Sequence, residues 1–140
     1  VESELNILLV EDNYEHLRLT KYILKSEQVP GEVHVVRDGQ EALDYLFGRN
    51  AFADKKRFPR PDLIMLDLNM PRIDGKEVLR TIKGDADLKD IPVIVVSSSD
   101  REEDEHFARK NGAAAYISKS SGFENLKQAL STVHTYARKS

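Results

Sequence analysis

An α/β fold, with helices on both faces of one parallel sheet, is what this sequence predicts. Two observations carry the prediction. Five short apolar runs recur along the chain, and the segments between them place apolar residues at helical spacing, so the order reads βαβαβαβαβα. Three of the runs, Leu5 to Val10, Leu63 to Leu66 and Val93 to Val96, are nearly continuous rather than alternating. Continuous apolar strands are buried on both faces, as in a parallel sheet. Right-handed crossovers follow.

Each element has its own signal. The second and fifth runs are Val33 to Val36 and Ala113 to Ile117, and β-branched residues favour strand over buried helix in most of the five. After Asn13, the stripe Leu17, Thr20, Ile23 and Leu24 predicts the first helix. Ala42, Leu43, Leu46 and Phe47 predict the second, after Asp38-Gly39. Val78, Leu79 and Ile82 predict the third, with Gly84 as its stop. Phe123, Leu126, Leu130, Val133 and Ala137 predict the last. The fourth helix, Asp100 to Gly112, has well-marked ends. Asp100 and Glu103 make a capping-box-like start, and Glu102 to Glu105 sit near its positive end. Arg109 and Lys110 sit near its negative end, with Gly112 to close it. Its buried face is thin, with Phe107 the only large apolar residue beside Ala108, so it should be among the less stable parts. Gly48 to Pro61, with Lys55, Lys56, Arg57 and Arg60, reads as a solvated crossover loop; a partner-docking loop is the sharper alternative.

Composition narrows the function. The chain has 140 residues, 40% hydrophobic and 32% charged, which suits one globular domain (core about 5–137) with no output domain. It has no cysteine, which excludes disulfides, thiolate metal sites and a cysteine nucleophile. A net charge of −3 argues against nucleic acid as a partner. No apolar run approaches the ~20 residues that span a bilayer. Val1 to Asn6 carries no basic n-region, so a cytoplasmic protein is expected.

Ligands of open parallel sheets bind beyond the carboxyl ends of the strands. Those ends read Glu11-Asp12-Asn13, Asp67-Leu68-Asn69-Met70-Pro71, Ser97-Ser98-Ser99-Asp100 and Ser118-Lys119-Ser120. Three acids, a hydroxyl and a lysine therefore share one edge. If the first and third strands are neighbours, the carboxylates crowd, and crowded carboxylates raise one another's pKa or need a cation. Oxygen ligands with open positions suit Mg²⁺. Acids, Mg²⁺ and lysine make a phosphoryl-transfer site, in which Asp67 is a candidate nucleophile. Any single acid at a strand end also has a purely structural use as a helix cap. His16, His34, His106 and His134 have no ligand spacing, and no metal or catalytic role is expected of them.

The chain resembles the receiver domains of two-component response regulators. The resemblance rests on Leu8-Leu9-Val10-Glu11-Asp12-Asn13, Asp38-Gly39, the run from Asp62 through Asp67-Leu68-Asn69-Met70-Pro71-Arg72-Ile73-Asp74-Gly75, Ile91 to Ser97, and Gly112 to Lys119. It spans about Leu5 to Ala137. It implies a flavodoxin-like fold with strand order 2-1-3-4-5, as the chemotaxis member of this family shows. It implies that Asp67 accepts a phosphoryl group from a phosphohistidine of a sensor histidine kinase or a phosphotransfer protein. Asp12, Asp67 and the backbone carbonyl of Asn69 would bind Mg²⁺, with Glu11 acting through a water. Lys119, Ser97 and the backbone of Ser98 would hold the phosphoryl group. Tyr116 would change rotamer as Ser97 moves, though it also fits a half-buried sheet residue. The protein would assist its own phosphorylation and dephosphorylation without being an enzyme in the ordinary sense. Its 100–137 face would change for partner binding or dimerisation. Single-domain regulators paired with phytochrome-type kinases are the most similar group.

Two positions depart from the family pattern. The family usually follows its lysine with a cis proline; here Ser120 follows Lys119. A cis bond to serine would cost about 2.5–4 kcal/mol, so either a trans, differently shaped loop or a strained one is expected. Ser97 stands where threonine is common, keeping the hydroxyl. Two rivals remain: a phosphorylation-independent binding module, and a dehalogenase-type aspartyl-phosphate phosphatase. The second would want an acid two residues after the nucleophile, where Asn69 stands.

Overall fold

The structure is a computed structural model that describes residues 5–26, 31–70, 74–97, 101–119 and 127–128. Five strands, β1 (Leu5–Val10), β2 (Gly31–Val36), β3 (Leu63–Leu66), β4 (Val93–Ser97) and β5 (Ala115–Ser118), form one parallel sheet in the order β2-β1-β3-β4-β5. The helices between them are α1 (Tyr14–Ser26), α2 (Gly39–Phe47), α3 (Gly75–Gly84) and α4 (Glu102–Lys110). The predicted last helix falls largely outside the described residues.

The continuous apolar runs do what their pattern requires. Leu8 and Val10 of β1 face a core shared with Ile64, Leu66, Val93 and Val95 and with Val78, Leu79 and Ile82 of α3. Ile7 and Leu9 face the opposite core, with Met65, Ile94 and Val96 and with Leu17, Ile23 and Leu24 of α1. Alternate residues of each strand thus feed two cores, and no side of the central strands needs polar residues.

The helix stripes of α1 and α3 match the buried residues found. That of α2 needs correction. Phe47 is 40% exposed, and Tyr45 is buried instead. Tyr45 faces Phe52 and Phe58, with ring centroids 5.4 and 5.9 Å away, and its hydroxyl donates to the Pro59 carbonyl at 3.0 Å. The 48–61 segment is therefore not simply a solvated loop. It contains a 3₁₀ turn at Asn50–Phe52 and is pinned to α2 by aromatic side chains.

The fourth helix begins later than expected. Its N-cap is Arg101, which makes no side-chain capping bond, and Asp100 lies outside the described residues. Its far end closes as predicted. Gly112 takes φ +93°, the Ala113 amide donates to the Ala108 carbonyl at 2.9 Å, and the Gly112 amide donates to Arg109 at 3.2 Å. That is a Schellman closure. It uses up Gly112 and Ala113, so β5 starts at Ala115 rather than Ala113. Among the described residues, no helix is long and apolar enough to cross a membrane.

Candidate phosphoacceptor and metal site

The strand order sets the site. β1 and β3 are neighbours with Val10 opposite Leu66, and the Asp67 amide donates to the Val10 carbonyl at 3.1 Å. Glu11 and Asp12 therefore leave the sheet beside Asp67. One oxygen from each of the three carboxylates lies within 4.8 Å of the others. Glu11 and Asp67 are 2% and 5% exposed. Asp12 is not a helix cap. Asn13 does that work, its Oδ1 accepting from the His16 amide at 3.0 Å at the start of α1.

Lys119, at the end of β5, reaches back across the edge. Its Nζ lies 2.5 Å from Glu11 Oε1 and 3.3 Å from Asp67 Oδ2. The local balance is two buried carboxylates and a half-buried one against one ammonium. Burial pushes the Glu11 carboxyl up to about 7, and Asp67 adds to the rise, while Lys119 pulls it down. A carboxylate held that high, among acids and 2% exposed, is a site short of positive charge. All the donors are oxygens, so the arrangement suits a hard divalent cation.

The neighbouring loop is held in place by its own side chains. Asp67 Oδ1 accepts from the Asn69 amide at 2.9 Å, and the Asn69 side-chain amide donates to Ser97 Oγ at 3.1 Å. Ser97 is completely buried. Asp74 caps α3 by accepting from the Glu77 amide at 3.0 Å. Gly75 is needed there because a Cβ would come within 2.3 Å of the Asp67 carbonyl oxygen and 2.4 Å of Leu68 Cα. The absence of a side chain lets α3 dock directly against the loop that carries Asp67. A cleft of about 420 Å³ opens beside the acids, lined by Asp12, Leu68, Asn69, Met70, Asp74 and Lys76.

Of the residues singled out from sequence, Glu11, Asp12, Asp67, Asn69, Ser97 and Lys119 gather at this edge. Tyr116 is half-buried against the core on the α2 and α3 side, opposite Val95 in the register. Ser98 and Pro71, and the Lys119–Ser120 bond, lie outside the described residues. Sequence reasoning missed two groups. His16 Nδ1 lies 2.9 Å from Lys119 Nζ, a contact across 103 residues. Its position on the first turn after the strand-end acids was the available signal. Lys76, which lines the cleft, also binds Asp104 of α4 at 2.7 Å.

Comparison with known proteins agrees with this fold. The family profile described as "Response regulator receiver domain" matches residues 7–131. The response regulator Rcp1 of Synechocystis sp. is 36% identical over 130 residues, spanning 93% of this chain and 86% of its own length. The structure of the phosphorylated cyanobacterial phytochrome response regulator RcpA superposes with a TM-score of 0.85 at 41% identity, covering 97% of this chain and 95% of its own. The Mn²⁺-bound form of Rcp1 superposes with a TM-score of 0.83 at 36% identity, covering 94% and 92%.

Proposed function

From the premise that the chain belongs to the response regulator receiver family of two-component signalling, we propose that Asp67 is its phosphoacceptor, Mg²⁺ its metal and the 100–137 face its output. The observation that carries the reading is the cluster of Glu11, Asp12 and Asp67 oxygens within 4.8 Å, with the Lys119 ammonium 3.3 Å from Asp67. That set supports phosphoryl transfer and little else.

An Asp67 oxygen attacks phosphorus of a kinase phosphohistidine. The O–P bond forms as the N–P bond breaks, and the departing imidazole nitrogen keeps the electron pair and takes a proton. Asp12, Asp67 and the Asn69 carbonyl would hold the Mg²⁺, with Glu11 acting through a water. The metal would supply charge neutralisation for the transferred group. Lys119 and Ser97, with the Ser98 backbone, would bind phosphoryl oxygens. Asn69, whose side chain already holds Ser97, couples the acceptor loop to β4. Tyr116 and α4 would then re-pack, changing a face for a protein partner or a second copy rather than for nucleic acid or membrane. Hydrolysis of the aspartyl phosphate, assisted by the same site, would reset the switch in the cytoplasm. The relatives described as phytochrome response regulators support a phytochrome-type sensor histidine kinase as the donor. The Mn²⁺-bound relative supports a divalent metal.

The test is intact mass after incubation with acetyl phosphate, with and without Mg²⁺, on the wild type and on Asp67→Asn. One added phosphoryl unit that needs both Mg²⁺ and Asp67 is the expected result. No gain under conditions that label another receiver would overturn the reading and favour a phosphorylation-independent binding module.

A further inference from the structure

His16 was given no role by its spacing, yet it meets Lys119, the lysine of the site. A lysine ammonium has three donors and no acceptor. An approach of 2.9 Å between Lys119 Nζ and His16 Nδ1 therefore requires Nδ1 to offer its lone pair, which puts the ring proton on Nε2. Nδ1 joins Glu11 Oε1 and Asp67 Oδ2 as the third acceptor within reach of the three ammonium protons. The Lys119 side chain is only 8% exposed, so water has little part in holding it.

We propose that His16 is a positioning residue for Lys119, its Nδ1 holding the ammonium against Asp67 for phosphoryl binding. This rests on the reading of Lys119 as a phosphoryl-holding group. It also addresses the departure noted in the sequence. Where the family usually follows this lysine with a rigid proline, Ser120 stands here, and His16 ties down the far end of the same side chain.

The surroundings keep the imidazole in the form the contact needs. Burial and the Lys119 charge hold His16 below its ordinary pKa, while Asp67, Glu15 and Asp12 pull the other way. The N-terminal turn of α1, where Asn13 Oδ1 fixes the His16 amide, adds positive potential against an imidazolium. Protonation would set an imidazolium against the ammonium and push Lys119 away.

Two measurements decide this. The first is the ring titration of His16 by NMR, in the wild type and in Lys119→Met. The His16 pKa is expected to rise when the ammonium is removed; an unchanged titration would overturn the inference. This arm does not depend on phosphorylation at all. The second is the initial rate of labelling by acetyl phosphate with Mg²⁺ across pH 5–8. His16→Leu is expected to slow labelling roughly tenfold, the scale of one hydrogen bond to a charged group. His16→Gln, whose amide oxygen accepts but does not titrate, is expected to restore most of that rate. The ratio of wild type to His16→Gln should fall on acidification, because only the wild type protonates there. Equal rates in wild type and His16→Leu, or a ratio flat with pH, would overturn the inference. Failure of the wild type itself to be labelled would instead sink the phosphoacceptor reading, leaving the titration to decide His16.

Discussion

Helices α3 and α4 are neighbours of ten and nine residues, and they are attached to the molecule by different forces. α3 buries Val78, Leu79 and Ile82 completely, and each such side chain is worth about 1.5–3 kcal/mol of transfer out of water. α4 buries only Ala108 and Asp104. Its Asp104 carboxylate meets Lys76 of α3 at 2.7 Å, and its half-buried Phe107 ring lies under two α3 cations, 5.2 Å from Lys76 Nζ and 5.4 Å from Arg80 Cζ. One helix is held by apolar area and the other is clipped on by charge. Apolar area responds little to a nearby charge, whereas an ion pair responds directly. The helix that a charge change could release is therefore the one whose clip, Lys76, lines the cleft beside Asp12 and Asn69.

The largest expected effect falls on α3. Leu79→Ala should cost about 2–5 kcal/mol in urea unfolding, the range for truncating a fully buried leucine. No apolar truncation on α4 has that much to remove. Native-state hydrogen exchange should correspondingly open α4 well before α3. Equal protection in the two helices would erase the contrast.

The clip comes next. Lys76→Met leaves the Asp104 carboxylate buried and without that partner. A fully buried pair would lose about 3–5 kcal/mol, but the Lys76 side chain keeps 38% exposure, so about 1–3 kcal/mol is expected. Exchange should speed up across α4 and stay unchanged in α3. Adding Asp104→Leu to Lys76→Met should recover part of the loss by removing the buried charge. A double variant no better than Lys76→Met would mean that the cation's stacking on Phe107, rather than the ion pair, holds α4.

The parallel sheet and the site acids were legible because they rest on local rules: continuous apolar runs, and acids placed one or two residues past a strand end; the order of the strands came from the family resemblance alone. The thin face of α4 was legible too, from the scarcity of large apolar residues between Glu102 and Lys110. Its means of attachment was not. Asp104 lies in a run of four acids at a helix start, where dipole complementation accounts for all of them equally; only the third dimension turns Asp104 inward to Lys76. His16 was hidden for the same reason, since its partner is 103 residues away. Tyr45 was passed over for Phe47 because the stripe was drawn for the sheet alone, and the aromatic side chains of 48–61 cover a further side of α2.

The smallest effects lie at the helix starts, and they test whether the weakness of α4 is in its face or its end. Asp74→Ala removes a cap that accepts the Glu77 amide at 3.0 Å and should cost about 1 kcal/mol. Arg101→Ala removes no capping bond, and the ion pair it makes with Glu103 joins two mostly exposed side chains, so stability should change by less than about 0.5 kcal/mol. Arg101→Asn would supply α4 with the acceptor that Asp74 supplies to α3. If the missing side-chain cap sets the frailty of α4, this substitution should slow exchange along the whole helix. If the face sets it, protection should rise only in the first turn, because an added cap contributes nothing to a surface where Ala108 is the one buried apolar side chain. The second outcome is expected, since a cap is worth less than even one of the buried side chains that α3 has and α4 lacks.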